Sequence, residues 1–209
     1  MSRTELHLLQ IFTILKTLSQ NSYLVGGCVR DSLIGKTPKD FDIVTDIHMD
    51  KLEEAFQLAD WDVKDTGKAF LVLTVSKDHI PYEIANFRKD GCYSDGRRPD
   101  SVEIGTIAED AARRDFTVNA LYMDPFSGEI RDPTGKGLDD IKSRTLRFIG
   151  KPKDRIQEDY LRVFRFYRFL KKGFKPDKKS LKACRELFNE AYLKITPERV
   201  RTEVEKMVL

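Results

Sequence analysis

With 209 residues, 40% of them hydrophobic, the chain can build a real core and suits one domain with a smaller appendage or two small domains. No apolar run approaches membrane-spanning length and no signal-peptide pattern opens the chain, so the expectation is a soluble cytoplasmic protein without a membrane partner. The net charge of +3 excludes a strongly polybasic protein, and Cys28, Cys92 and Cys184, scattered and without a C-x-x-C pair, point to neither a disulfide framework nor a zinc site.

Residues 3–20 carry Leu6, Leu8, Leu9, Ile11, Phe12, Ile14, Leu15 and Leu18, which predicts an amphipathic helix packed on a sheet. Tyr23, Leu24 and Val25 form a strand that stops at Gly26-Gly27, a pair that lets backbone approach a ligand closely. Cys28 to Ile34 gives a short helix ended by Gly35. After the loop Lys36-Thr37-Pro38-Lys39, Phe41, Ile43 and Val44 make a second strand. Asp40 and Asp42, two apart, project two carboxylates from one face of it. Adjacent carboxylates repel unless a cation lies between them, and hard oxygen ligands with substrate phosphates favour Mg²⁺. Taken alone, D-x-D is a common cap or loop pattern, and Gly-Gly is commonly only a turn.

Asp50 to Ala59 predicts a helix and Trp61 to Lys64 a strand entering a turn at Gly67. Ala69 to Ser76 predicts a central strand, hairpin-paired to His79 to Phe87. Within the latter, Glu83 has two readings: a solvent-facing residue, or a third carboxylate aimed at the face of Asp40 and Asp42. Arg88 to Asp100 is polar, contains glycine and lacks periodicity, so it reads as a mobile loop. Ile107 to Met123 predicts one helix in which Asp115 and Asn119, four apart, share a face. A carboxylate and an amide there suit ribose hydroxyls, and Arg114 suits phosphate; the plainer reading is a surface network of small energetic value. Tyr122 to Gly137 is a hairpin and turn region with a short strand at Glu129-Ile130-Arg131, and Leu138 to Ser143 is a helical turn or two.

Lys153 to Lys171 predicts one helix carrying Asp159, Arg162, Arg165 and Arg168 in steps of three, which precess over about half its circumference. A set of exposed ion pairs would explain them for a few tenths of a kcal/mol. Lys178 to Ala191 predicts another helix, and Thr196-Pro197-Glu198 a helix start. Lys171, Lys172, Lys175, Lys178, Lys179 and Lys182 cluster in this region, as a phosphate-contacting surface or as a solvated lysine-rich one.

Taken in order, the segment YLVGGCVRDSLIGKTPKDFDIVTD, the run RRDFTVNAL, IRDPTGKGLDDI, EDYLRVFRFYR and the ERVRTEVEK run resemble motifs A to E of bacterial-type (class II) CCA-adding tRNA nucleotidyltransferases and bacterial poly(A) polymerases. The resemblance spans about Tyr23 to Lys206. It implies an α/β class: a nucleotidyltransferase-type mixed sheet with flanking helices as catalytic head (1–148), followed by an all-helical neck (149–209). It implies a template-independent enzyme that adds C and A from CTP and ATP to the 3′ end of tRNA, releasing pyrophosphate. Asp40 and Asp42 would hold Mg²⁺, with Glu83 assisting. Gly26, Gly27, Arg30 and Arg114 would cradle phosphates, and Asp115 and Asn119 the sugar. Asp159 and Arg162 would read the Watson–Crick edge of the base, with Arg165 and Arg168 on the triphosphate. Glu198, Arg199 and Glu203 would brace that helix.

The loop 88–100 is not shortened as it is in relatives that add only CC. A poly(A) polymerase or an A-adding enzyme is the alternative within the family, and Gly67-Lys68-Ala69-Phe70 is partly similar to the poly(A) polymerase signature. From other classes, a catalytically silent RNA-binding module is opposed by the intact Asp40 and Asp42, and an enzyme modifying small molecules by the later motifs. Full-length relatives continue into further helical domains, so the chain is expected to be a piece of a longer protein or a naturally short enzyme.

Overall fold

The computed structural model describes residues 2–93, 97 and 99–208. The chain divides into two compact units, one formed by Met1–Lys89, Val102–Ala111 and Leu121–Pro133, the other by Asp90–Ser101, Ala112–Ala120 and Thr134–Leu209.

In the first unit, α1 (Arg3–Leu18) opens on a capping box: Ser2 accepts from the Glu5 N–H while the Glu5 carboxylate accepts from the Ser2 N–H. The chain continues through β1 (Ser22–Val25), α2 (Gly27–Leu33), β2 (Asp42–Thr45), α3 (Met49–Leu58), β3 (Asp62–Lys64), β4 (Val72–Lys77) and β5 (Ile80–Asn86). It goes on with β6 (Arg88–Asp90), β7 (Val102–Ile104) and α4 (Ile107–Arg113), then the pair β8 (Tyr122–Met123) and β9 (Ile130–Arg131). Seven strands form one mixed sheet in the order β3-β4-β5-β2-β1-β8-β9. The β5/β2 pair is parallel and its other neighbours are antiparallel. Burial alternates along β5: Tyr82, Ile84 and Asn86 are buried while Pro81 and Glu83 are exposed. Helices α1 and α3 belong to the buried face. His7, only 2% exposed, ties α1 to the hairpin through Tyr82 Oη (3.1 Å) and Asp78 Oδ2 (3.2 Å).

In the second unit, α5 (Gly137–Lys142), β10 (Thr145–Leu146), α6 (Pro152–Glu158), α7 (Leu161–Lys171), β11 (Lys175–Pro176), α8 (Lys178–Lys194) and α9 (Pro197–Val208) follow. Its core is aromatic: Phe116 lies 4.8 Å from Phe148 and 5.5 Å from Phe169, centroid to centroid, and Phe148 stacks on Phe166 at 5.7 Å. Beyond residue 149 the described residues are helical apart from turns and Lys175–Pro176, which pairs with β10 in parallel.

Four expected elements differ. The strand expected from Ala69 begins at Val72, because the chain doubles back at Gly67, whose carbonyl accepts from the N–H groups of Phe70 and Val72. A Cβ on Gly67 would stand 2.8 Å from the Val72 oxygen, so this approach needs glycine. The loop expected at 88–100 starts as strand β6, paired with β7; its residues 94–96 and 98 lie outside the described residues.

The single helix expected over 107–123 ends at Arg113. Phe116 is extended (φ −120°, ψ 148°) and bridges Phe148, and only a 3-10 turn follows at Thr117–Asn119. Asp, Thr, Val and Asn are poor helix formers, and burying Phe116 completely decides the outcome. The helix expected over 153–171 is broken at Asp159 (φ −149°, ψ 104°), whose carboxylate accepts from the Leu161 N–H at 3.2 Å, competing with helical backbone bonding.

Candidate functional site

In the first unit, Gly26 has φ 78° and ψ −126°, a conformation open to glycine, and caps α2. This turns β1 into a helix that carries Arg30 back past the turn, so that a Cβ on Gly27 would meet Arg30 Nη2 at 3.6 Å. The Arg30 guanidinium is oriented by Asp31, with Nε donating at 2.9 Å.

The ladder of β2 begins at Asp42, so Asp40 lies in the lead-in and not on the strand as expected. Asp42 sits in parallel register with Glu83 of β5, and Glu83 in turn pairs with Thr74 of β4. Side chains in register on adjacent strands point to the same face. Asp40, Asp42 and Glu83 line one cleft of about 530 Å³, together with Lys39 and Thr74. Glu83 is exposed and stands in register beside Asp42 on the same side of the sheet.

Among the described residues, no three His, Cys, Asp or Glu side chains form a ready-made metal cluster. Mg²⁺ seldom needs one: it keeps waters and takes one or two carboxylates with substrate phosphates. The hard carboxylate oxygens lining this cleft fit that donor set.

In the second unit, Asp115 and Asn119 meet, although not across a helix face. Asn119 Nδ2 donates to Asp115 Oδ1 at 2.9 Å, and the Phe116 N–H donates to the same oxygen at 2.7 Å. Asp115 Oδ2 accepts from Arg165 Nε (2.8 Å) and Nη2 (2.6 Å). Burial pushes the Asp115 pKa up, but the Arg165 charge and the hydrogen bonds from Asn119 and Arg165 prevail and bring it down to about 2. The same pairing raises the pKa of Arg165. Arg114 occupies the bend after α4, where its carbonyl accepts weakly from Arg155.

Asp159, at the break between α6 and α7, also accepts from Arg199 of α9 at 3.2 Å. Arg168 pairs with the buried Glu203 at 2.9 Å. Of the expected braces, Arg199 and Glu203 thus touch the segment as anticipated, while Glu198 is exposed. Arg162 is 7% exposed and engaged internally: Nη1 donates to the Arg155 carbonyl and to Glu158 Oε2, both at 2.8 Å, and Nη2 to the Arg113 carbonyl at 3.1 Å.

Sequence reasoning passed over Arg155 and Glu158. Arg155 donates to Glu158 at 2.8 Å and to the Arg113 carbonyl at 2.5 Å, so Glu158 is shared by two arginines. Burial and the neighbouring Arg162 charge lower the Arg155 pKa. The signal was the i,i+3 and i,i+4 spacing of Glu158 from Arg155 and Arg162. Tyr93 was also passed over; its hydroxyl donates to Asp90, and burial together with that bond pushes its pKa up to about 12. No composition signal in the segment 88–100 singled it out.

Residues 22–147 match the family described as "Poly A polymerase head domain". The chain is 38% identical over 190 residues to the CCA-adding enzyme of Enterococcus faecalis, covering 90% of this chain and 45% of that protein. Among solved structures it is similar to the CCA-adding enzyme of Bacillus stearothermophilus in complex with CTP, with a TM-score of 0.81 and 32% identity over 99% of this chain and 49% of that one. It is also similar to a tRNA nucleotidyltransferase complexed with a primer tRNA and an incoming ATP analog, with a TM-score of 0.74 and 28% identity over 93% of this chain and 55% of that one. The chain spans about half the length of the curated relatives it matches.

Proposed function

The chain belongs to the poly A polymerase head-domain family, and from that premise we propose that it transfers C and A from CTP and ATP to the 3′ end of tRNA, releasing pyrophosphate, in the cytoplasm. The observation that carries the reading is the register of Asp42 with Glu83 in a cleft shared with Asp40. Asp40 and Asp42, assisted by Glu83, are the residues to hold Mg²⁺, which when bound would acidify the RNA 3′-hydroxyl and offset the charge of the triphosphate. Gly26, Gly27, Arg30 and Arg114 bind phosphate oxygens through main-chain N–H groups and guanidinium forks. Asp115 and Asn119 form a fixed polar pair for the ribose, locked by Arg165.

Asp159 accepts from the exocyclic amine that C carries at C4 and A at C6, the position where U and G carry a carbonyl oxygen, and Arg162 supplies donors from a planar fork. Arg165 and Arg168 contribute positive charge for the triphosphate. RNA backbone has its counterpart in Lys178, Lys179 and Lys136, which line a second cleft of about 500 Å³ with Arg147.

The test is incubation with tRNA transcripts ending before, within and after CCA, with CTP and ATP singly and together. Extension that stops at CCA supports the reading. A long A tail or addition of A alone replaces it with the poly(A) polymerase or A-adding alternative, and no extension with intact RNA binding replaces it with a silent binding module. Asp42→Ala is expected to abolish incorporation and leave RNA binding largely intact; retained activity would refute the metal assignment.

A further inference from the structure

The cleft of about 530 Å³ that holds Asp40, Asp42 and Glu83 lies to one side of β2. In the sheet, β1 flanks β2 on one side and β5 on the other. Gly26, Gly27 and Arg30, which follow β1, do not line the cleft; Thr74 of β4 and residues 80–83 of β5 do. The expected phosphate cradle and the cleft therefore occupy opposite flanks of Asp42. Phosphoryl transfer needs two such flanks. In the proposed reaction the RNA 3′-oxygen bonds to the α-phosphorus while the bond to the pyrophosphate oxygen breaks, the hydroxyl proton passing to water. The attacking and leaving oxygens lie roughly in line across the phosphorus. With the leaving phosphates on the β1 flank, the attacking strand enters from the β5 flank, through the cleft.

The groups lining this flank are accessible. Lys39 and Pro81 are exposed, and Phe41 and Thr74 are half-buried. Among the described residues neither Lys39 nor Thr74 makes a side-chain hydrogen bond or an ion pair. Thr74 stands directly opposite Glu83, and Glu83 opposite Asp42. Opposite residues on paired strands hold their Cβ atoms about 5 Å apart. That gap admits the neighbouring 2′- and 3′-hydroxyls of one ribose, the 3′ toward Glu83 and Asp42 and the 2′ toward Thr74. Lys39 precedes Asp42 by three residues, at most about 11 Å of extended chain, so its flexible stem serves a phosphate one nucleotide unit away from the 3′-oxygen. Phe41 and Pro81 add apolar surface for a base.

We infer that this cleft seats the 3′-terminal nucleotide of the RNA strand, with the Thr74 hydroxyl on its 2′-hydroxyl and the Lys39 ammonium on its phosphodiester. The inference rests on the proposed nucleotidyl transfer and adds to it the residues that receive the strand. The volume lies within the range of ligand sites, about 300–1,000 Å³, and accommodates one nucleotide unit. Thr74 then gives the enzyme a means of telling an RNA end from a DNA end, since the 2′-hydroxyl is the group that differs. Lys39 contributes charge only and is indifferent to that group.

The probe is a 5′-labelled tetracytidylate, compared with the same strand carrying a 2′-deoxy residue at its 3′ end. Each is titrated with the chain in Mg²⁺, without nucleotide, and followed by fluorescence anisotropy. The expected result is binding about fivefold weaker for the 2′-deoxy end, the worth of one hydrogen bond. Thr74→Val, which keeps the β-branched shape a strand favours, is expected to bind the two strands alike, and Thr74→Ser to retain the preference. Lys39→Met is expected to weaken both strands equally and to lower the slope of log K against log salt by about 0.7, one single-strand phosphate. Its Kd for CTP, measured without RNA, is expected to stay unchanged.

No binding of either strand, a preference that survives Thr74→Val, or a Lys39→Met loss that falls on CTP and not on the strands overturns the inference. None of these readouts depends on tRNA extension. A chain that binds with the expected pattern and extends no tRNA keeps the site and loses the proposed function. A chain that extends tRNA without the pattern keeps the function and loses the site.

Discussion

Asp115→Asn tests the electrostatic centre of the second unit. The carboxylate is buried and accepts from Arg165, Asn119 and the Phe116 N–H. Its pKa falls from an ordinary 3.8 to about 2, which corresponds to about 2 kcal/mol of folding stability. In the variant an amide nitrogen faces the Arg165 donors, and Arg165 loses its acceptor. Breaking a fully buried pair costs about 3–5 kcal/mol, and the Arg165 side chain, 32% exposed, recovers part of this through water. The expected loss is therefore about 2–4 kcal/mol at pH 7, read as a lower urea midpoint with unchanged slope.

The sign with pH follows from the depressed pKa. The contribution is complete above the unfolded value near 3.8 and is lost as pH falls through the folded value of about 2. The gap between wild type and variant should narrow by about 1 kcal/mol between pH 7 and pH 3. A gap under about 0.5 kcal/mol at pH 7, the scale of an ordinary surface substitution, or one that stays constant down to pH 3, would show that Arg165 does not hold the carboxylate ionised.

Arg199→Met removes the 3.2 Å contact to Asp159, and the selectivity for CTP and ATP over UTP and GTP in single-nucleotide extension should drop about tenfold, the effect of about 1.4 kcal/mol of misorientation. Unchanged selectivity would disconnect Arg199 from base choice. Phe116→Ala opens a cavity against Phe148 and Phe169 and should cost about 3–5 kcal/mol in urea unfolding; a loss below about 1 kcal/mol would mean that the aromatic cluster collapses around it. In a thiol-disulfide exchange assay on the folded chain, Cys92 should react at once and Cys28 and Cys184 only after unfolding, because burial raises both thiols, Cys184 up to about 12. Fast labelling of Cys184 would contradict its burial.

Much of the first unit was legible because its signals are local. Period-2 and period-3.6 patterns placed α1, β1, α3 and the β4–β5 hairpin, and Gly26-Gly27 and Gly35 marked the ends of α2. The parallel pairing of β2 with β5 was not legible, since Ile43 pairs with Ile84, 41 positions later, and nothing local encodes who pairs with whom. That pairing places Glu83 beside Asp42, a neighbourhood that no local pattern in either strand announces. The role of His7 escaped for the same reason: its partners Asp78 and Tyr82 come from the distant hairpin.

The second unit failed in a more instructive way. Two long helical patterns were each interrupted at the residue assigned to the ligand or next to it. Helix period counts apolar positions, and it cannot see that Phe116 gains more from the aromatic core in an extended bridge than on a helix, or that Asp159 takes a backbone N–H for itself.

The spacing of Asp159, Arg162, Arg165 and Arg168 treated the four as equals, yet they occupy different states. Arg165 and Arg168 are committed to carboxylates, and Arg162 to main-chain carbonyls and Glu158, while Asp159 stands outside the helix, oriented by Arg199. Residue type and spacing identify which side chains can recognise a base. Which donors are already taken is a property of packing. If Arg162 reads a base, it does so at the cost of a bond to Glu158, Arg155 or Arg113, and the shared Glu158 is the partner able to keep Arg155 compensated when Arg162 leaves.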